Sequence, residues 1–276
     1  MMNILYSGDR GIESGLIISV LSLLKHVREP LHIYVLTATF EYDGKVYRKV
    51  HDRTIEALRD KLRFENRDHD ITLVNVSEAF QEALPVANMQ TRFTPGCMIR
   101  LFADHIHPLP ERLLYLDNDV VCLGDISEFY HQNLAGIELA GVLDYYGSWL
   151  FRKHWHERDF INSGVLLMNM PEIQRTGLLP ACRQRCAEKR MFMPDQTALN
   201  DLAQTKRLCD RRYNEQRITR SDTLLRHFST SFRFTPWFRP VSVKPWDSDR
   251  LHGVLDEYSF DDILREAYQI NQYLRQ

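Results

Sequence analysis

Two aspartates stand one residue apart in Asp117-Asn118-Asp119, directly after the apolar run Leu113-Leu114-Tyr115-Leu116. Side chains two residues apart on an extended chain point to the same side. The two carboxylates would therefore share one face where a buried strand ends. Like charges that close repel and raise one another's pKa unless a cation sits between them. Hard oxygen ligands suit Mg2+ or Mn2+, and those ions suit phosphate-bearing substrates. The same tripeptide also serves as an ordinary polar strand end or Asx-turn. D-x-D is common by chance, so its surroundings must decide.

The elements that would hold this pair can be read along the chain. Residues 3–7 form a short apolar run ending at Gly8, which reads as a buried first strand. Ile12, Leu16, Val20, Leu21 and Leu24 fall on one face at helical spacing, predicting a helix over 13–26. Residues 31–37 read as a second strand, and 41–47 as a hairpin around Asp43-Gly44. A helix over 54–64 and a third strand over 71–76 follow. A helical stretch over 98–105 leads into the strand 113–116. Apolar runs over 138–143 and 164–170 continue the sheet, and helix returns over 171–189 and 195–204. This alternation predicts an α/β fold, a largely parallel sheet flanked by helices in a single domain. Ligands of such sheets sit beyond the carboxyl ends of the strands.

The chain has 276 residues, 44% hydrophobic and 26% charged, a composition that excludes disorder and collagen-like order. A formal net charge of −2 gives no bulk electrostatic reason to bind nucleic acid. The longest apolar stretch, 15–24, holds two serines and is about half a membrane span. No signal-peptide pattern opens the chain. The expected location is the cytoplasm, with at most peripheral contact at the inner face of the membrane. The five cysteines, Cys97, Cys122, Cys182, Cys186 and Cys209, show no zinc spacing and are expected as reduced, mostly buried thiols.

Two enzyme classes use a carboxylate pair of this kind. A phosphatase of the haloacid dehalogenase type carries D-x-D-x-[TV] with the first Asp as nucleophile, a pattern that Asp117, Asp119 and Val121 satisfy. A nucleotide-sugar glycosyltransferase uses the pair to hold a metal on its diphosphate leaving group. Position argues against the phosphatase, whose motif ends the first strand of its core. A non-catalytic sugar-binding protein on the same fold is the third reading.

The ordered motifs I-L-Y-S-G-D, Arg100-Leu101, Y-L-D-N-D-V-V, F-I-N-S-G-V-L-L-M-N, P-D-Q-T-A-L-N, R-Y-N, H-F-S and K-P-W resemble glycosyltransferase family 8. The family groups bacterial lipopolysaccharide galactosyl- and glucosyltransferases with glycogenin. The resemblance runs from Asn3 to about Trp246, and implies a GT-A glycosyltransferase domain over 1–246 with a helical tail over 247–276 packed on it. It implies Mn2+, with Mg2+ as the other candidate, and a UDP-sugar donor whose hexose, galactose or glucose, moves with retention to a saccharide acceptor. Asp117, Asp119 and His227 would hold the metal. Ser7 and Asp9 would take the uracil, Arg100 and Asn118 would contact the donor, and Lys244 the diphosphate. Asn162 would lie on the donor-sugar side and Asp144 against the donor or acceptor sugar, with Asp195 orienting the sugar and Gln196 near its anomeric carbon. The family places a glycine and then the lysine shortly after the histidine. Here seventeen positions separate His227 from Lys244, with no glycine between them.

Other segments bear on partners. The basic run 205–220 reads as a solvated face or as attraction to an anionic surface, and 232–238 as an aromatic and basic patch suited to lipid head groups. Loops 84–97 and 145–158, the latter with Trp149, Trp155 and His156, are candidate acceptor walls. Asp195 after Pro194 fits a helix N-cap, and 260–274 an amphipathic helix packed on the body.

Overall fold

A computed structural model describes residues 1–90, 95–145, 159–233 and 239–275. Trp149, Trp155, His156 and the stretch 234–238 lie outside the described residues. The first half alternates β1 (Met2–Ser7), α1 (Glu13–His26) and β2 (Leu31–Thr37). A small hairpin, β3 (Phe40–Tyr42) and β4 (Lys45–Tyr47), turns at Asp43-Gly44, where both residues have positive φ. Then come α2 (Asp52–Glu65), β5 (Asp70–Asn75) and the short α3 (Ser77–Glu82). A 3-10 segment (Pro95–His105) leads to β6 (Arg112–Leu116) and β7 (Val120–Cys122).

The second half brings α4 (Ser127–His131), β8 (Leu139–Leu143), β9 (Ile161–Asn169), α5 (Met170–Thr176), α6 (Leu178–Glu188) and α7 (Pro194–Leu202). Three short strands follow the edge strand β10 (Lys206–Cys209): β11 (Leu225–His227), β12 (Ser231–Arg233) and β13 (Arg239–Val241). Helices α8 (Ser248–Leu255) and α9 (Asp261–Arg275) close the chain.

The central sheet has seven strands in the order β10-β8-β9-β6-β1-β2-β5. Every pairing in it is parallel except those of β9, which runs against both β6 and β8. This reversed strand matters for the site, because its first residues emerge at the edge where its neighbours end. Both faces of the sheet are covered, as expected for parallel strands. Ile4, Tyr6, Leu114 and Leu116 join α1, α2 and α9 on one side, while Leu5, Leu113 and Tyr115 join the 3-10 segment and α5–α7 on the other. The split follows the two-residue alternation of a strand.

Local structure departs from the sequence reading in two places. The helix predicted over 171–189 breaks at Gly177, whose φ of +69° ends α5 in the left-handed region that glycine occupies without strain. The helical stretch expected over 98–105 is present as a 3-10 helix, with Phe102 off helical φ/ψ. Asp195 is not an N-cap: Met193 holds that position without a side-chain bond, and the Asp195 carboxylate turns inward. Among the described residues no helix is long and apolar enough to cross a membrane.

Candidate active site

β6 is buried on both faces and ends at Asp117, whose N–H donates to the Gly164 carbonyl at 2.8 Å. A tight turn, closed by Val120 N–H on the Asp117 carbonyl at 3.1 Å, carries the chain into β7. β7 pairs antiparallel with β11, and this register sets His227 opposite Val120. Asp117, Asp119 and His227 thereby converge, with one ligand atom from each within 4.8 Å of the others. His227 Nε2 lies 3.3 Å from Asp119 Oδ1 and 3.7 Å from Asp117 Oδ2.

The long interval from His227 to Lys244 does not separate them. β12 and β13 pair antiparallel, so the chain that leaves after β12 comes back alongside it in β13. Lys244 Nζ then pairs with Asp119 Oδ2 and donates to the Phe228 carbonyl at 3.1 Å. Burial pushes the Asp119 carboxyl up, but the Lys244 ammonium and the His227 ring in its charged form outweigh it and hold this carboxyl well below its ordinary range. Two carboxylates and an imidazole around one point are a donor set for a divalent transition ion. The Lys244 ammonium already supplies positive charge to that set.

Arg100 is buried, and its donors are turned to the protein. It donates to Asp117 Oδ1 at 2.8 Å, to the Ser163 carbonyl at 2.6 Å and to the Cys97 carbonyl at 2.9 Å, and pairs with Asp195 Oδ2 at 3.1 Å. Its guanidinium lies over the Tyr115 ring, 4.3 Å from the centroid. It holds Asp117 to Asp195, and is no surface salt bridge. Tyr115 O–H donates to Asp117 Oδ1 at 2.7 Å, and Ser7 Oγ lies 3.3 Å from the Tyr115 oxygen, which ties the end of β1 to the pair. Asp9 accepts from Gly11 N–H at 2.8 Å, so its carboxylate caps its own turn. Asn118 rests on the start of α1, its amide 3.5 Å from the Ile12 carbonyl.

The opening residues of β9 join the second half of the site. Asn162 Nδ2 donates to Asp144 Oδ2 at 2.8 Å, and Gln196 Nε2 donates to the same oxygen at 2.9 Å. Ser163 N–H donates to Gln196 Oε1 at 2.9 Å. Asp144, Asn162, Asp195 and Gln196 form one buried polar cluster beside Arg100.

Two contributors escape a motif reading. Gly164 packs so closely that a Cβ there would strike the His227 ring and stand 2.8 Å from Asp117 Oδ2. Asn214, in R-Y-N, carries no chemistry by type, yet its Oδ1 lies 3.1 Å from His227 Nδ1. Within the basic run Arg211 and Arg220 pair with Glu215, Arg211 also with Asp222, Arg212 with Glu128 and Lys206 with Asp159.

Comparison with known proteins bears on the fold and the family. The Escherichia coli (strain K12) lipopolysaccharide 1,2-glucosyltransferase is 31% identical over 145 residues, 52% of this chain and 38% of that protein. The probable galacturonosyltransferase-like 9 of Arabidopsis thaliana is 24% identical over 136 residues, 48% of this chain and 32% of that protein. The aligned parts thus span about half of this chain and about a third of those relatives. Among solved structures, the galactosyltransferase LgtC in complex with donor and acceptor sugar analogs has a TM-score of 0.68 at 15% identity, covering 97% of this chain and 96% of that one. GlyE of Streptococcus pneumoniae TIGR4 has a TM-score of 0.62 at 20% identity, covering 96% and 63%. At such identities these likenesses bear on the fold, which is the GT-A arrangement. The profile described as glycosyl transferase family 8 matches residues 3–249, from the first strand to beyond K-P-W. The chain belongs to glycosyl transferase family 8.

Proposed function

We propose that this glycosyltransferase moves a hexose, galactose or glucose, from a UDP-sugar to a saccharide acceptor, with retention and in dependence on a divalent metal. Assembly of a bacterial surface polysaccharide is the setting that the lipopolysaccharide relative suggests. The observation that carries the reading is the convergence of Asp117, Asp119, His227 and Lys244 across a long sequence interval. The family assignment removes the phosphatase alternative.

A divalent ion held by Asp117, Asp119 and His227 would neutralise the charge that grows on the departing diphosphate. Lys244 adds a fixed positive charge on the same side. Ser7 and Asp9 stand at the end of β1, where the Asp9 carboxylate can accept the uracil N3–H. Arg100 and Asn118 complete the donor side, Arg100 by fixing Asp117 and Asp195. Asp144, Asn162 and Asp195 present oxygen and amide groups to the sugar hydroxyls.

Gln196 is a poor nucleophile, so a covalent glycosyl intermediate of the retaining-glycosidase kind has no partner there. In the proposed step the acceptor oxygen attacks from the face that the diphosphate leaves. The bond from the anomeric carbon to phosphate breaks, the bond to the acceptor oxygen forms, and the departing phosphate takes the acceptor proton. A crystal structure of an active-site glutamine-to-glutamate mutant of LgtC also matches this fold, with a TM-score of 0.67. Gln196→Ala should lose most turnover while donor affinity holds. Unchanged turnover would remove Gln196 from the mechanism.

Calorimetry with UDP, UDP-galactose, UDP-glucose, UDP-N-acetylglucosamine and GDP-mannose, each with Mn2+ or with chelator, tests the whole reading. Manganese-dependent binding of the uridine nucleotides is expected, tightest for the true donor. Absence of uridine-nucleotide binding under any metal would leave a non-catalytic relative.

A further inference from the structure

We infer that Asn214 is a positioning residue: it fixes which nitrogen of His227 carries the proton, and it ties that metal ligand to the sugar-side carboxylate Asp144. The inference rests on the proposed metal site and deepens it. Its argument is the direction of each hydrogen bond along one buried chain of side chains.

The chain is anchored at a group whose polarity cannot change. Gly164 N–H, a fixed donor within β9, donates to Asn162 Oδ1 at 3.0 Å. The Asn162 amide nitrogen must therefore be the group facing Asp144 Oδ2, which as a carboxylate only accepts. Asn162 Oδ1 has a second lone pair, and Asn214 Nδ2 donates to it at 3.0 Å. That sets the Asn214 amide, so the atom turned to His227 is its oxygen. An oxygen 3.1 Å from His227 Nδ1 requires the proton to be on Nδ1. In the neutral ring Nε2 is then the lone pair, turned to Asp117 and Asp119.

A neutral ring in that tautomer is suited to a cation between Nε2 and the carboxylates and to little else, since lone pairs would otherwise face lone pairs. Asn162, Asn214 and His227 are each less than 10% exposed, so water competes poorly for these bonds. Partners of this kind on the far ring nitrogen orient a ligating histidine and raise its basicity. Here the far end of the partner chain is Asp144, which also receives the Gln196 amide. The ligand and the sugar-side cluster thus share one hydrogen-bonded frame.

The test uses the full chain labelled with 15N, with the His227 ring signals assigned by comparison with His227→Ala. Long-range 1H–15N spectra of the metal-free protein at mildly alkaline pH should show His227 protonated on Nδ1. Asn214→Leu, close in volume but without an acceptor, should lose that single tautomer and weaken Mn2+ binding by about 10- to 100-fold. Asn214→Asp keeps an acceptor opposite Nδ1, and should retain the tautomer and most of the affinity although its donor to Asn162 is gone. A thermal melt of each variant separates this from simple loss of fold, which would leave the tautomer of the folded fraction unchanged. If Asn214→Leu keeps both the tautomer and the Mn2+ affinity while His227→Ala loses the affinity, the role of Asn214 is overturned and the metal site stands. If neither variant changes Mn2+ binding, both fall.

Discussion

At the scale of single residues, the site is defined as much by what is missing as by what reacts. Gly164 sits in β9 between two paired strands, so its backbone has little room to move aside for a side chain. Gly164→Ala is expected to displace the His227 ring and Asp117. The strain should cost about 1–3 kcal/mol of stability, the usual range for overpacking, and a larger share of Mn2+ affinity. Calorimetry beside a denaturation curve checks this, and wild-type Mn2+ affinity in a folded Gly164→Ala protein would contradict the close packing. Asp117, Asp119, His227 and Lys244 could be named from sequence because their side chains carry charge or ligate metals. Gly164 and Asn214 could not be given roles that way. The first acts by lacking atoms, and the second only through a bond whose partner lies thirteen positions away.

At the scale of elements, the strands and first helices were legible because apolar periodicity is strong there. The helix predicted over 13–26 and the strand predicted over 31–37 carry the observed bounds of α1 and β2. The reversal of β9 was not legible: its residues are apolar on both faces whichever way it runs. Nor was the β12–β13 pairing, which turns an apparent break between His227 and Lys244 into a detour. Element pairing also carries a pH dependence. His69 precedes β5, and its Nδ1 accepts the Leu31 N–H at the start of β2 at 2.8 Å, a bond that requires this nitrogen to be unprotonated. Burial holds the His69 pKa below its ordinary value of 6.5, as it does for His26 and His32. The unfolded chain then binds more protons than the folded one once pH drops below about 6.5, so stability should fall with pH through that point and level off below the folded values. Melting temperatures across mildly acidic pH check the sign. His69→Gln should flatten part of the slope, and a slope unchanged in that variant would contradict the assignment.

Over the whole molecule, the sheet, its two covered faces and the site form one assembly. Leu251, Phe260, Ile263, Ala267 and Leu274 of the last two helices and the turn between them belong to the same apolar cluster as β1 and α1. Lys25 pairs with Asp262 at 2.5 Å and Lys61 with Glu266 at 2.7 Å along that seam. Within the basic run over 205–220, ion pairing also reaches a buried carboxylate. Glu215 is nearly buried, and it is held by Arg211 at 3.0 Å, by Arg220 at 3.5 Å and by the Arg217 N–H at 3.1 Å. Its backbone pairs with β11, the strand that presents His227. Removing Arg211 and Arg220 together would leave a buried carboxylate short of its cations, at a cost on the order of 1–3 kcal/mol. The double variant Arg211→Ala, Arg220→Ala should therefore melt lower and bind Mn2+ less well, while its sedimentation with anionic phospholipid vesicles stays that of the parent chain. A variant that melts like the parent but releases vesicles would show the opposite, a run of arginines kept for a surface and not for the strand behind it.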